Sequence, residues 1–437
     1  MSRDKEQARL FRGDLSARFL RRPNRFLIIA ESGGEELACH CPNPGRLTEC
    51  LFPGTELILE RRSGAEGGGE TGDAPGDGTG NLGAGAVKAG AAKTRGKPKT
   101  AWTAAALRHR GNLVPLFASR ANQAAEKLIL GKIIPGLREV RREFFIPREG
   151  GASGAECSCA GNSRFDFLCI DSKGLRHLVE VKACSLVEYG TAMFPDAPSA
   201  RALRHLEELA ALGREAYRCH VLFVILHGDP GVFIPNLHTD PAFAAALSRY
   251  GKTVAVHATL LRCDGDGMAE LVNPSVPLDL SHGELAASDG GNYLVLLELP
   301  ESRTIMAGAL GPLSLERGWY IYAGSARKNL SARMARHARK VGKRKHWHID
   351  YLCPHAGIIK TLPIMSYRNL ECELARDLEK LGGRPVPGFG ASDCAAKGNR
   401  CPSHLFHFPL PPLENPGFRD LLFRYRHVEF QSKGEKT

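Results

Sequence analysis

The chain has 437 residues, 43% hydrophobic and 24% charged, and this length exceeds what one ordinary core accommodates, so two or three domains are expected. No uninterrupted apolar run reaches bilayer-spanning length, and the N-terminal "MSRDKEQARLFRGD" lacks the apolar segment of a secretory signal, so a cytoplasmic chain without a membrane partner is expected. A net charge of +12 and a pI near 9.1 favour a polyanionic partner, DNA or RNA. The thirteen cysteines, odd in number and without small-scaffold spacing, are expected to remain reduced thiols.

In chain order, "RFLIIAE", "ELACHC", "TELILER", "TAWTAAALRH" and "NLVPLFA" read as five short strands. They suggest a small barrel of the oligonucleotide-binding (OB) kind over residues 11–120. A Gly- and Ala-rich stretch at 61–99 interrupts it and reads as a disordered insertion. The "CPNPGR" turn is rigid by composition. Arg46, with Arg21 and Arg25, meets phosphates at the barrel mouth, or the turn merely closes the barrel. Cys39-x-Cys41 and Cys157-x-Cys159 lack zinc spacing and read as metal-free thiols.

A second domain, α/β over 121–265, follows. "ANQAAEKLILGKI" is helical, then "VRREFFIPR", "SRFDFLCID" and "RHLVEVKACSL" are strands. "SARALRHLEELAALG" is a helix capped by Ser199 and stopped by Gly213, before further strand, helix and strand. Residues 266–290 read as a linker, 291–412 as a third α/β domain, and 413–437 as a loosely held basic tail.

The chemistry concentrates in a hairpin. Glu180 and Lys182 share one strand face, and Asp166 lies on the partner strand. Two acids side by side repel unless a cation lies between them, and hard oxygen ligands suit Mg²⁺ or Mn²⁺. A lysine beside them can orient or deprotonate water, which makes a phosphodiester-hydrolysis constellation. The bland alternative is a surface hairpin with an ordinary ion pair. Glu126, on the preceding helix, is a further candidate metal ligand. Arg201, Arg204 and His205, at i, i+3 and i+4 of the following helix, either clamp a phosphate or form a solvated face.

Residues 11–262 resemble the sugar fermentation stimulation protein A (SfsA) family, on "RFLRRPNRFLIIAE", "HCPNPGRLTEC", "LFPGTELIL", "SRFDF", "VEVKACSL", "FPDAPSARALRHLEEL" and "IPNLHTDPAFAAAL". That resemblance implies DNA binding, an OB-like N-terminal domain and a PD-(D/E)xK nuclease-like domain. It makes Asp166, Glu180 and Lys182 the D…ExK triad, with "FD" in place of "PD".

Residues 291–408 resemble the GIY-YIG nuclease superfamily, in its compact branch found fused to endonuclease III, on "GWYIYAGSA", "KHWHIDYL", "GFGASDC" and "SHLFHF". "GNY" and "YAG" depart from the type. The resemblance implies catalytic roles for Tyr293, Tyr322 and Arg333, and a metal-holding glutamate, Glu371, with Glu373 and Asp377 as rivals on the same helix. Nine Arg or Lys lie between Arg327 and Lys345, with no balancing acid. They make Arg336, Lys343 and Arg344 candidate phosphate contacts, or else a solvated face. His346, His348 and Asp350 either bind a metal or bond internally, and Cys394, Cys401 and His404 could form part of a zinc site.

The expected function is a nucleic-acid-binding, divalent-metal-dependent nuclease. The alternative is a non-catalytic DNA-binding regulator of sugar-metabolism genes, built on nuclease-like folds.

Overall fold

The structure is a computed structural model, and it describes residues 6–43, 45, 47, 49–62, 100–146, 164–213, 217–339, 344–392, 394 and 401–431. Arg46, Lys343, Cys157, Cys159 and the insertion from residue 63 onward lie outside the described residues.

The first domain is a closed five-stranded barrel. Its strands run in the order Glu35–His40, Leu27–Ser32, Leu15–Asn24, Glu56–Arg61, Trp102–His109. Parallel pairing of Cys39 with Trp102 and His40 with Thr103 closes it, which removes the sheet edges. Membership differs from expectation in one strand. Leu15–Asn24 is a barrel strand absent from the five expected, whereas Asn112–Pro115 pairs outside, along Trp102–His109. In "LSARFLRRPN" only Ala17 and Phe19 are buried, so its apolar alternation is too short to stand out.

The second domain is a seven-stranded mixed sheet, ordered Gln7–Arg9, Met268–Asn273, Ala255–Cys263, Arg218–Ile225, Arg176–Cys184, Arg164–Asp171, Leu137–Phe145. The three strands from 176, 218 and 255 are parallel and the rest antiparallel. This gives the expected three-strand meander, crossover helix and further strands, but the sheet recruits both flanks. Gln7–Arg9 precedes the barrel in sequence, and Met268–Asn273 falls in what reads as a linker. Neither segment is apolar enough to announce itself, with Ala8 and Ala269 their only fully buried side chains.

Two helices cover the hairpin's two faces. The helical segment from Arg120 to Ile133 packs Ala121, Ala124 and Leu128 into the cluster that holds Val179 and Val181. On the other face, Ala200–Leu212 joins Leu178 and Cys184. It begins and ends as expected, with the Ser199 hydroxyl accepting from Ala202 N at 3.2 Å and Gly213 at the C-cap.

In the third domain the sheet order is Gly357–Met365, Gly291–Leu299, Gly318–Ala326, Leu405–Phe408, Arg384–Pro385. Gly291–Leu299 is buried on both faces. Tyr293, Val295 and Leu297 point to the side covered by Leu330, and Leu294 and Leu296 to the side covered by Leu374, Leu378 and Phe418.

The tail expected to be loosely held is instead an ordered helix, Pro416–Arg426. Phe418, Leu421, Leu422 and Tyr425 form an i, i+3, i+4, i+7 stripe that packs on the third sheet. Phe423, on another side of the helix, joins Leu186, Met193 and Ile234 of the second domain. The helix therefore wedges two domains together. His238 completes the junction: Met365 N donates to its Nδ1 at 2.9 Å, and its Nε2 donates to Arg426 O at 2.8 Å.

Candidate functional site

The hairpin brings its three residues together, by a route that the strand period alone does not give. Antiparallel pairing of the two strands runs from Arg176↔Ile170 to Val179↔Phe167 and stops. At the next step the Asp166 side chain replaces a backbone acceptor, with Oδ2 taking the Val181 N–H at 2.8 Å. Asn122, on the helix behind, donates to Oδ1 at 2.8 Å. Burial pushes the Asp166 carboxyl above its ordinary value, and the Glu180 charge adds to that push.

Glu180 is 3% exposed. Its Oε1 accepts from Lys182 Nζ and from His205 Nδ1, the latter at 2.5 Å. Burial acts to raise its pKa, but the His205 hydrogen bond and the Lys182 charge outweigh it, and the carboxyl sits below its ordinary value. The second oxygen, Oε2, is buried and makes no hydrogen bond among the described residues. Two acids shifted in opposite directions, one lysine and one free acceptor oxygen thus share a small space.

The flanking candidates divide. Of the helix trio, His205 turns inward onto Glu180, while Arg201 and Arg204 are exposed, Arg204 lying 3.8 Å from Glu208. Glu126 is not brought to the pair. Its helix covers the Val179–Val181 face, and its carboxylate is taken by Arg142, Nε to Oε2 at 2.6 Å. Asn122, one turn earlier, is what reaches Asp166. Sequence reasoning does not single it out, because an amide announces no charge.

On the barrel, Arg21 is paired in bidentate fashion with Glu36 at 2.8 Å, and Arg25 lies over the exposed Phe26 ring. The arginine that grips the "CPNPGR" turn is Arg22, which donates to the carbonyls of Gly45, Asn43 and Arg25.

The third domain assembles a second cluster. The Tyr293 hydroxyl and His337 Nε2 are 2.9 Å apart, the Tyr322 ring is adjacent, and both tyrosine pKa values are raised by burial. Gly324 is required here, since any side chain would run into the Tyr293 ring. Arg333 donates to Ser325 O at 2.8 Å and stacks over Trp347. Glu371 is engaged at both oxygens: Ser325 Oγ donates to Oε2 at 2.6 Å, and His404 Nδ1 donates to Oε1 at 2.9 Å.

Arg336 binds the buried Asp350 through both oxygens, at 3.1 and 3.0 Å, so it is committed to the fold, whereas Arg344 is exposed. Asp350 also accepts from the backbone of His346 and Trp347, and His348 Nδ1 accepts from Gly390 N. The His348 and Asp350 side chains therefore serve internal hydrogen bonds, and among the described residues neither they nor His346 belong to a group that could hold a metal ion. Cysteine and histidine side chains converge elsewhere: Cys372 joins Cys394, Cys401 and His404, with one ligand atom from each within 4.8 Å of the others, a group able to hold a metal ion.

Residues 20–71 match the SfsA N-terminal OB domain, and residues 119–267 match the sugar fermentation stimulation protein RE domain. A sugar fermentation stimulation protein homolog of Pyrobaculum neutrophilum is 34% identical over 245 residues, covering 56% of this chain and 85% of that protein. The homolog of Moorella thermoacetica is 34% identical over 252 residues, covering 58% and 90%. The chain belongs to the SfsA family. The structure of Pyrococcus furiosus SfsA in complex with Ca²⁺ aligns with a TM-score of 0.47 and 24% identity, covering 62% of this chain and 99% of that one. Residues 292–416 match DUF123, a domain of unknown function, and lie beyond both SfsA matches. No helix among the described residues is long and apolar enough to cross a membrane.

The two SfsA segments meet at a buried acidic junction that no sequence motif signals. A side chain at Gly45 of the barrel turn would collide with the Asp196 carboxylate of the second domain. Glu49, buried beside it, is pushed up to about 8 by burial and then by the Asp196 charge, with Arg419 of the C-terminal helix opposing. Glu188 of the second domain meets Arg110 at 2.8 Å and His109 at 3.3 Å, both from the end of the barrel. The SfsA barrel is thus fastened to its neighbour through charge as well as apolar contact.

Proposed function

We propose that the chain binds DNA or RNA and hydrolyses its phosphodiester bonds at the Asp166–Glu180–Lys182 site with Mg²⁺ or Mn²⁺. One observation carries the reading. Glu180 Oε2 is a buried carboxylate oxygen without a hydrogen bond, close enough to Asp166 for the charge of one carboxylate to raise the pKa of the other. Such an arrangement is costly unless a cation joins it. Asp166 and Glu180 would hold the ion, an oxygen donor set that suits Mg²⁺ or Mn²⁺. When bound, the ion would supply Lewis-acid polarisation of a phosphate oxygen and ease deprotonation of water.

The rest falls to the chain's own side chains. His205 is a positioning residue: its bond to Oε1 fixes the carboxylate so that Oε2 faces away from the imidazole. Lys182 stands on the same oxygen and is placed to orient the attacking water or take its proton. Arg201 and Arg204, exposed on the helix that carries His205, offer phosphate contacts, as do Arg25 on the barrel and Arg344 in the basic run. Exposed Phe26 beneath Arg25 suits base stacking on an OB barrel.

The GIY-YIG resemblance supports a second hydrolytic cluster at Tyr293, Tyr322 and Arg333. Its buried hydroxyls and doubly engaged Glu371 make it the lesser contributor in this reading. The non-catalytic alternative rests on the closure of the Glu180–Lys182–His205 network, which a purely structural polar core would share. Incubating the full chain with labelled single- and double-stranded DNA and RNA, in Mg²⁺, Mn²⁺ or EDTA, separates the two. Cleavage that needs the cation and is lost in Lys182→Ala supports hydrolysis. Binding without cleavage under every condition supports the alternative.

A further inference from the structure

We propose that Cys372, Cys394, Cys401 and His404 form a closed, zinc-type metal centre, and that Glu371 serves it as the outer carboxylate linking it to the Tyr293–Arg333 cluster. The four ligands come from three separate places in the chain. Cys372 is in the first turn of the Glu371–Lys380 helix, Cys394 lies past the "VPGFG" segment, and Cys401 and His404 lead into the Leu405–Phe408 strand. Only the fold brings them within reach of one another.

The spacing fits a tetrahedron. A metal–sulfur bond of ~2.3 Å places two sulfurs of a tetrahedral site roughly 3.8 Å apart, and a sulfur and an imidazole nitrogen slightly closer. Cys372 Sγ and Cys394 Sγ are 3.5 Å apart, Cys394 Sγ and His404 Nε2 are 3.2 Å apart, and all four ligand atoms fall within 4.8 Å. A Cys372–Cys394 disulfide would leave the convergence of Cys401 and His404 without a reason. Three thiolates and an imidazole are a soft donor set, suited to zinc and unlike the oxygen pair at Asp166 and Glu180. Four protein ligands leave no open position, so the ion would be structural.

The histidine is already set in the ligating tautomer. Glu371 Oε1 accepts from His404 Nδ1, so the proton sits there and Nε2 presents its lone pair to the sulfurs. Carboxylate partners of this kind orient a metal-bound histidine and raise its basicity. The other Glu371 oxygen accepts from Ser325 Oγ, and Ser325 O accepts from Arg333. A continuous chain of bonds therefore runs from the centre to Arg333.

The segment between the ligands also forms a wall of the tyrosine cluster. The Phe389 ring packs edge-on against Tyr322, and the left-handed Gly390 leaves room for Tyr322 and His404 alike. Residues 386–391 form turns without strand or helix, so a metal clip is the natural means of holding them against the helix.

The experiment is elemental analysis of the full chain purified under reducing conditions and reconstituted with Zn²⁺ or Co²⁺. One tightly held ion per chain is expected at this centre, with the visible spectrum of tetrahedral cobalt–thiolate coordination. Cys401→Ser, at the less buried edge, should alter that spectrum and weaken retention against a competing chelator. Glu371→Gln should keep the stoichiometry and the coordination spectrum but lose affinity by about 10–100-fold. Absence of a tetrahedral thiolate spectrum in the reconstituted chain overturns the centre. So does a spectrum unchanged in both Cys372→Ser and Cys401→Ser. Equal affinity in Glu371→Gln and the parent chain overturns the linkage through Glu371.

Discussion

His205 Nδ1 meets Glu180 Oε1 at 2.5 Å, from a helix that packs across the sheet face. Lys182 meets the same oxygen from the same strand, so one carboxylate oxygen is shared by two donors and the other is left without one. This asymmetry separates positioning from chemistry in the site. Lys182→Ala should lower cleavage by ~10²-fold or more, the usual scale for a proton-transfer group. Nucleic-acid affinity should barely change, because one lysine contributes little to a many-phosphate interface. Parallel cleavage and binding assays on the variant check both halves.

His205→Ala removes a buried partner rather than a reacting group. It leaves Glu180 charged and less satisfied, so a loss of stability of about 1–3 kcal/mol is expected alongside reduced cleavage. Denaturant unfolding of this variant beside Lys182→Ala is the measurement. Equal stabilities would show that the His205 bond is not holding the carboxylate.

Mn²⁺ titrated into the parent chain should give binding heat that Asp166→Ala lacks. Calorimetry on both reads this directly. The zinc-type centre has to be loaded beforehand, so that heat from thiolate ligands does not enter. Identical heats from the two proteins would remove Asp166 from the metal site.

The acidic junction between barrel and second domain carries a pH dependence whose sign is fixed. Glu49 has an ordinary value of 4.5 and is raised to about 8 by burial and the Asp196 charge. Between those values the unfolded chain has released the proton and the folded chain retains it. Stability therefore falls as pH rises through that window, by at most ~1.4 kcal/mol per unit from this group. Glu49→Gln should flatten the slope and be relatively more stable at pH 8 than at pH 5. Unfolding curves across this range, for both proteins, supply the comparison.

Nucleic-acid affinity should depend on salt through the exposed members of the basic run, and not through Arg336, which is held by Asp350. On duplex DNA each phosphate contact contributes about −0.9 to the slope of log K against log salt. A combined Arg327→Ala, Lys328→Ala, Arg344→Ala variant should show a shallower slope. An unchanged slope would place the contacts in the first two domains.

Which way the site residues point was legible in the chain itself. A strand period of two puts Glu180 and Lys182 on one face with Val179 and Val181 on the other, and the helix period aligns Arg201, Arg204 and His205. The strand pattern holds in the structure because it is set within a few residues, whereas the helix trio divides, with His205 turned inward onto Glu180 and Arg201 and Arg204 exposed. The caps of the Ala200–Leu212 helix were legible for the same reason. The Phe418–Tyr425 stripe was equally local, yet the charges between its members disguised it as a tail.

What those residues meet came from the tertiary fold. Asn122, rather than Glu126, reaches Asp166, because the turn of the helix over the Val179–Val181 face carries Glu126 to Arg142. Cys394, Cys401 and His404 were already candidate zinc ligands in the sequence, but Cys372, from the Glu371–Lys380 helix, joins them only in the fold. Gln7–Arg9, ahead of the barrel in sequence, pairs with Met268–Asn273 from the far end of the second domain. Local dihedral preferences set the direction of a side chain, but its partner depends on how distant elements bury their apolar faces against one another.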